Sequence, residues 1–268
     1  MESIRSCSIS SVTTHNGTFH ADEVTAIALL HIFRGVDYTN VKRVPHQTLE
    51  FDDGYVLDIG RTYNPDKLLF DHHQSKELPS SAGLVWKYLG LADNFPKISS
   101  LVKAVDDNDI GVKPAEEFEY SRLLSTFNSD DVHSGTQYTA FIKAIEFAIA
   151  ILTNLQRAQV QLDFTAKTIK QAKLFEGTDD VLDLGTWLQG WGSHVNGETM
   201  PNIEAVHWYD EELDTYNIQT TNAKAGSYDK VGKSLLPDPT MEFVHVAGFF
   251  AVAKTKDIMV KYIANSRK

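Results

Sequence analysis

Short runs of β-branched residues alternate with segments of helical periodicity through the first half of the chain, and this alternation restricts the possible folds most. Residues 9–13 predict a strand, and the recurrence of Val24, Ile27 and Ala28 at helical spacing predicts a helix over 21–33. The same patterns predict further strands at 41–44, 55–57 and 68–70 and helices at 80–89 and 98–105. Such alternation is typical of a mainly parallel sheet flanked by helices.

A long helical pattern separates this half from the remainder of the chain. Apolar residues keep a 3.6-residue period from 138 to 175, and no proline or glycine follows before Gly177. The later pattern predicts strands at 181–184, 203–209, 216–221 and 243–250 and a helix at 256–264. We therefore predict an α/β protein with a first domain at 1–135, a helical connector at 136–177 and a smaller α/β domain at 178–268.

Composition limits the compartment and the partners of the chain. The single cysteine, Cys7, excludes an internal disulfide and fits a reducing compartment. The start lacks the apolar run of a secretory signal, and no stretch of about 18 apolar residues predicts a membrane span. We therefore expect an intracellular, cytoplasmic protein without a membrane partner. The net charge of −11 disfavours non-specific binding of long polyanions, so we expect short nucleic acids or nucleotides as partners.

Four short segments rich in Asp and His lie at the ends of predicted strands or helices. They are residues 14–23, 57–60, 70–74 and 106–109. In open α/β sheets, ligand sites form at the carboxyl ends of the strands, so segments far apart in sequence can converge there. The sequence therefore predicts one site built from all four segments.

The residue types in these segments indicate a divalent metal site. Imidazole and carboxylate without thiolate suit manganese, iron or zinc, and an excess of carboxylate favours manganese or magnesium. Two ions about 3.5–4 Å apart can share a bridging hydroxide and stabilise both the attacking and the leaving oxygen of a phosphoryl transfer. We predict two ions, with Mn²⁺ favoured and Mg²⁺, Fe²⁺ and Zn²⁺ open. The candidate ligands are His15, His20, Asp22, Asp58, His72 and one of Asp106 or Asp109.

Each segment also has a structural interpretation. His20 and Asp22 could mark only a helix N-terminus, Asp58 a turn, and Asp106 to Asp109 a solvated helix end. Two adjacent imidazoles after an apolar strand contribute nothing to a turn, and the four segments together favour the metal site.

Two features of the second half leave alternatives open. His245 lies in an apolar run, where it could hold a phosphate in an interdomain cleft or be a satisfied core histidine. Trp187, Trp191 and Trp208 could stack on bases, although packing in a core is the commoner use of tryptophan.

The motifs resemble those of the DHH phosphoesterase superfamily, and most closely its MYG-type branch, a group of UPF metal-dependent hydrolases. The resemblance rests on six segments that keep their order along the chain. They are Thr14 to Glu23, Asp58-Ile59-Gly60, Asp71-His72-His73-Gln74, Ser81 to Val85, Asp106 to Gly111, and Phe243-Val244-His245 with Gly248-Phe249.

The resemblance implies a DHH catalytic domain, a C-terminal substrate-binding domain and two metals, usually manganese. It implies that Asp71 orients a neighbouring catalytic group and that His73 binds the scissile phosphate. His245 and Gly248 would bind substrate. The chain departs from the pattern of this family in two places. In the fourth motif Asn108 is displaced, which leaves Asp106 and Asp109 as alternative ligands. After Leu235-Leu236-Pro237 the chain is shorter than the family pattern.

The predicted function is metal-dependent phosphodiester hydrolysis by a metal-bridged hydroxide. The resemblance favours a 3′-to-5′ exonuclease on short single-stranded RNA or DNA. A pyrophosphatase or a cyclic-dinucleotide phosphodiesterase is the alternative within the same chemistry, and a non-catalytic metal-binding regulatory protein is the alternative from another class. The sequence leaves the oligomeric state open, with a dimer as one alternative.

Overall fold

Two sheets organise the chain, one in each of the two units into which it divides, Met1–Gln159 and Val160–Lys268. The computed structural model describes residues 11–221, 240–246 and 248–265. The mixed α/β class predicted from the sequence is confirmed. The domain boundaries stay a prediction, and the division between the units falls within a long helix.

The sheet of the first unit has five strands in the order β2-β1-β3-β5-β4. All neighbours are parallel except β4, which runs antiparallel to β5 at the edge. The strands are β1 Val12–His15, β2 Val41–Val44, β3 Tyr55–Leu57, β4 Tyr63–Asn64 and β5 Leu69–Phe70. The carboxyl ends of β1, β3 and β5 therefore lie beside one another, where the predicted motifs begin.

Five helices accompany this sheet. They are α1 Ala21–Arg34, α2 Ser81–Leu89, α3 Pro96–Asp109, α4 Tyr120–Ser125 and α5 Gly135–Ile169. Helix α1 is apolar along most of its length, and Val24, Ile27 and Leu30 are fully buried in the core of the unit. Burial of side chains of this size contributes about 1.5–3 kcal/mol each, so α1 is held rigidly at the centre of the core.

The second unit contains a six-stranded sheet in the order β10-β11-β9-β8-β7-β6, in which only β7 and β8 are parallel among the described strands. Its elements are β6 Lys173–Leu174, β7 Val181–Asp183, β8 Ala205–Asp210, β9 Thr215–Thr220, β10 Phe243–Val244, β11 Phe250–Ala253 and α6 Lys256–Asn265. Met259 and Tyr262 of α6 pack with Ala205 and Ile218 of the sheet. A second cluster around Trp191 and Trp208 completes its core.

Two predicted elements differ from the structure. The long helix spans Gly135–Ile169 and not 138–175, because Lys173 and Leu174 leave the helix to pair with β7. The apolar run 243–250 is not one strand but a hairpin. Gly248, with φ of 67°, lets the chain reverse, and its N–H donates to the carbonyl of His245 over 2.7 Å.

Helix α5 is long and apolar enough to cross a membrane by length and composition alone, which corrects the expectation that no segment would pass that test. The core helix of a soluble protein can have the same length and composition. Phe141, Ile145 and Leu152 are fully buried in the core of the first unit, so this part of α5 packs as a core helix.

Candidate metal centre

The first part of the site forms where β1 ends and α1 begins. The backbone turns at Gly17, whose φ of 83° lies in the left-handed region that glycine adopts without strain. Arg43 donates from Nε to the carbonyl of His15 (3.1 Å) and from Nη2 to that of Gly17 (3.0 Å). Gln137 donates to the same Gly17 carbonyl over 2.9 Å. These contacts fix the turn that carries His15.

His15, His20, Glu23 and Asp58 form a first group, whose ligand atoms all lie within 4.8 Å of one another. His15 Nε2 lies 3.2 Å from Asp58 Oδ2 and 3.3 Å from Glu23 Oε1. Nδ1 of the same ring lies 2.9 Å from the carbonyl oxygen of Asn16, which can only accept, so Nδ1 carries a proton. In a neutral ring the lone pair then falls on Nε2, which is the arrangement of a metal-ligating histidine.

Asp22, His72 and Asp109 form a second group within the same distance limit. His72 Nε2 lies 3.1 Å from Asp109 Oδ2 and 4.0 Å from Asp22 Oδ2. Both carboxylate oxygens of Asp22 are buried, and neither has a hydrogen-bond partner among the residues that the structure describes. Buried charges are normally paired or coordinate metals, so the Asp22 carboxylate fits a cation.

Asp58 lies between the two groups. It follows β3 with φ of 56°, a left-handed conformation that Asp tolerates better than most residues. Its Oδ2 faces His15 at 3.2 Å, and its Oδ1 faces His72 at 3.3 Å. The Ser81 hydroxyl, which donates to the Phe70 carbonyl over 2.9 Å, lies 3.4 Å from Oδ1. A carboxylate with its two oxygens turned to different groups is suited to bridge two cations.

Asp71 and His73 form a pair at the end of β5. Asp71 Oδ1 accepts from the backbone N–H of His73 (3.0 Å) and lies 2.7 Å from its Nδ1. Asp71 Oδ2 accepts from the backbone N–H of Arg61. Nδ1 is thereby the protonated nitrogen held by Asp71, and the ring, which is 53% exposed, keeps Nε2 available for a ligand.

The structure separates the two rival acidic residues of α3. Asp109 lies in the last turn of the helix and faces His72. Asp106 faces the start of α2 instead, where its Oδ1 accepts from the Ser80 backbone N–H (3.1 Å) and hydroxyl (2.6 Å). Of the two, the geometry therefore brings Asp109 to the candidate ligands and turns Asp106 toward the junction of α2 and α3. The role of either residue as a ligand stays a prediction.

Electrostatics of the cluster reflect its crowded carboxylates. Burial disfavours a charged His15, but hydrogen bonds with Asp58 and Glu23 outweigh it and raise the pKa of His15 to about 10. Burial and the charge of Asp58 raise the pKa of Asp22 well above its usual range. Burial likewise raises the pKa of Asp109. Without a cation the cluster must hold extra protons, so a divalent ion would replace protons as the source of positive charge.

Sequence reasoning did not include two side chains that the fold brings to the cluster. Glu23 is fully buried, and its carboxylate accepts from the backbone N–H of His20 (3.0 and 2.9 Å). The ring of His46 stacks on that of His15 with 4.3 Å between centroids. His46 follows β2, which is parallel to β1, so its position after a strand end was the signal available in the sequence.

The predicted substrate residues His245 and Gly248 lie in the second unit. Both belong to the hairpin turn between β10 and β11. The ring of His245 contacts that of Phe249, with 4.1 Å between centroids. Their role in binding substrate stays a prediction.

Together, fold and side chains define an α/β protein whose strand ends gather carboxylates and imidazoles suitable for divalent cations. Residues 11–93 match the MYG1 exonuclease family, described as Uncharacterised protein family (UPF0160). The matched segment includes every residue of the cluster except Asp109. The family model and the relatives thus show that this part of the chain is similar to MYG1 proteins.

Among the relatives, the MYG1 protein of Chlamydia trachomatis is 37% identical over 156 residues, which are 54% of this chain and 54% of that protein. The MYG1 exonuclease of Mus musculus is 38% identical over 98 residues, or 30% of this chain and 25% of the mouse protein. The chain thus matches about half the length of the first relative. The solved pGpG-specific phosphodiesterase PggH from Vibrio cholerae covers 96% of this chain and 99% of its own at 13% identity and a TM-score of 0.38, too low to support an argument.

Proposed function

We propose that this chain is a divalent-metal-dependent phosphodiesterase of the DHH type that removes nucleotides from the 3′ end of short single-stranded RNA or DNA. The observation that carries the proposal is the buried Asp22 carboxylate, which has no hydrogen-bond partner among the described residues and faces His72. The relatives named exonuclease supply the reaction class. We also propose that the protein acts inside the cell.

The residues of the cluster divide between two ions. We assign His15, His20, Glu23 and Asp58 to one ion, and Asp22, Asp58, His72 and Asp109 to the other. The set contains no thiolate and is rich in carboxylate, which favours Mn²⁺ over Zn²⁺. When bound, such ions lower the pKa of a water molecule and neutralise the oxygens of a phosphoryl group.

The protein's own residues then position the substrate. Asp71 fixes the ring of His73 through Nδ1, and this hydrogen bond raises the pKa of His73. The protonated ring can then donate from Nε2–H to a non-bridging phosphate oxygen. Asn16 fixes the ring of His15 in the same way, through its backbone carbonyl. Substrate binding by His245 and Gly248 of the hairpin, which the resemblance implies, is part of the same proposal.

Phosphodiesterase activity of metal-stripped protein on 5′-labelled RNA, with and without Mn²⁺, tests the proposal. The variants Asp58→Ala and His72→Ala remove ligands, and Asp66→Ala is the matched control at an exposed carboxylate. We expect Mn²⁺-dependent shortening from the 3′ end, a loss of about 100-fold or more in both ligand variants, and full activity in the control.

Other products would identify the alternatives. Hydrolysis of pyrophosphate or a cyclic dinucleotide without RNA shortening would show that the substrate is not RNA, while metal-dependent hydrolysis of phosphoester or phosphoanhydride bonds would be retained. Mn²⁺ binding without hydrolysis of any of these substrates would reject the enzyme and support a metal-binding regulatory protein.

A further inference from the structure

An open pocket lies beside the candidate metal centre within the first unit. Its volume is about 260 Å³, and it is lined by His72, His73, Ser75, Lys76 and Ile110. Ligand pockets for drug-sized molecules begin at about 300 Å³, so this space suits roughly one nucleotide and not a run of several.

Apart from the proposed metal ligand His72, the polar residues that line the pocket are His73, Ser75 and Lys76. His73 offers only Nε2 to the pocket, since Nδ1 is held by Asp71. Ser75 uses its oxygen to accept from the backbone N–H of Glu77 (3.2 Å) and keeps its hydroxyl hydrogen for another partner. Lys76 forms no ion pair with any carboxylate in the described ranges. A cation without an ion pair, beside a hydroxyl donor, favours an anion such as phosphate.

Backbone contacts hold these donors in place. The N–H of Ser75 donates to the carbonyl of His72 over 3.1 Å, and the N–H of Leu78 donates to the carbonyl of Ser75 over 3.3 Å. These two turns fix the backbone on both sides of Lys76, whose side chain lines the pocket.

Ile110 forms the apolar wall and is also fixed. Its N–H donates to the carbonyl of Asp106 over 2.9 Å at the end of α3. Asn108 holds the following loop by accepting from the backbone N–H of Ala115 over 2.8 Å. The displaced asparagine of the fourth motif thus fixes the segment beyond Ile110. The Ile110 side chain remains 37% exposed, which leaves apolar surface for a ligand.

We propose that this pocket is a subsite for a single terminal nucleotide, in which Lys76 binds a phosphate and Ile110 packs against the nucleoside. The inference rests on the proposed function and deepens it, because a subsite of this size accounts for removal of one residue at a time from a strand end. In this proposal Lys76 is a substrate-binding residue that holds a phosphate beside the reacting centre and contributes no metal ligand.

The test combines kinetics on a short RNA with calorimetric binding of a nucleoside 5′-monophosphate to the full chain loaded with Mn²⁺. We expect Lys76→Ala to weaken monophosphate binding and raise KM by about tenfold or more, with kcat changed less than about threefold. Lys76→Arg retains the charge and should restore most of the affinity. Lys87→Ala, at an exposed lysine of α2, is the matched control for lost charge and should equal the wild type.

A second variant separates the nucleoside from the phosphate. Ile110→Ser should weaken binding of the monophosphate at least about threefold and leave binding of inorganic phosphate unchanged, with Mn²⁺ stoichiometry as the check on the neighbouring ligand Asp109. Equal binding by Lys76→Ala and Lys87→Ala overturns the subsite, whether or not RNA is hydrolysed. Lys76-dependent binding without hydrolysis retains the subsite and rejects the proposed function alone.

Discussion

At the scale of single residues, Asp22 combines features that a purely structural carboxylate would not have. It is buried in the first turn of α1 with both oxygens unsatisfied by the described residues, and Asp58 and Asp109 lie close enough to raise its pKa. A buried carboxylate among like charges destabilises a metal-free fold, and it becomes favourable only when a cation is present.

Asp22→Asn should therefore have opposite effects on stability with and without metal. Replacing the carboxylate should raise the metal-free Tm by roughly 2 °C or more, because it removes the cost of burying this group among like charges. For a chain of this size, each kcal/mol of added stability raises the Tm by about 2–4 °C. It should also abolish most of the Tm increase that Mn²⁺ produces in the wild type. Thermal unfolding with EDTA and with Mn²⁺ measures both, and Asp66→Asn controls for charge. Loss of stability in EDTA would contradict the prediction.

Asp106 permits a prediction about pH that does not involve the proposed ligands. Burial raises the pKa of Asp106 to about 6, despite hydrogen bonds that Ser80 donates and that lower it. The unfolded value is about 3.9, so folding favours the protonated form. Its stabilising contribution is complete below about pH 4 and is lost as the pH rises through about 6.

Asp106→Asn removes this titration. The free energy of unfolding of the metal-free variant, relative to that of the wild type, should increase as the pH rises from 4 to 7, by about 1 kcal/mol or more. Urea unfolding across this range gives the difference, with Asp93→Asn as an exposed control. Parallel stability curves for Asp106→Asn and wild type would show that the Asp106 carboxyl has no raised pKa.

At the scale of elements, a close approach between α2 and α3 depends on a glycine. A Cβ added at Gly83 would lie 2.5 Å from both carboxylate oxygens of Asp106 and 2.7 Å from the Cβ of Pro79. The absence of a side chain thus lets the first turn of α2 reach the Asp106 carboxylate, which accepts from Ser80 at the N-cap.

Gly83→Ala should destabilise the protein by about 1–3 kcal/mol although alanine is the better helix former, because the added methyl group overpacks the contact. Gly135→Ala is the matched control, since a Cβ there meets nothing within 4 Å. Chemical denaturation compares the two variants. Equal stability of the Gly83→Ala and Gly135→Ala proteins would contradict the prediction, because it would mean that α2 and α3 can move apart without a loss of stability.

Which elements the sequence could predict depended on whether local pattern or long-range pairing determined them. Helix α1 and strand β2 followed from periodicity and agree with the structure at nearly every residue. The end of α5 did not, because the pairing of Lys173 with β7 lies outside any local pattern. The hairpin after β10 was missed for a related reason, since an apolar run does not reveal the reversal at Gly248.

The site divides in the same manner. Motif spacing was enough to select His15, Asp22 and the other strand-end residues, since parallel strands bring their ends together. It could not decide between Asp106 and Asp109, because one helical turn separates them and only the packing of α2 on α3 determines which one faces His72.

At the scale of the whole molecule, the candidate ligands all belong to one of the two units. The three strands and two helices that carry or precede them, β1, β3, β5, α1 and α3, share one core. The second unit has its own two clusters of buried residues. A bound ion links only the segments that supply its ligands, so its stabilisation should be confined to the first unit.

Hydrogen–deuterium exchange with and without Mn²⁺ measures this localisation. We expect slower exchange in peptides covering residues 12–23, 56–60, 70–74 and 105–110, by about tenfold or more, because each ion cross-links segments that are distant in sequence. Peptides from β8 and β9 of the second unit should be unaffected and serve as the internal control. The Asp22→Asn variant should lose most of the protection. Equal protection of both units, or protection that survives in Asp22→Asn, would mean that Mn²⁺ binds elsewhere, since only the carboxylates of the first unit form the proposed centre.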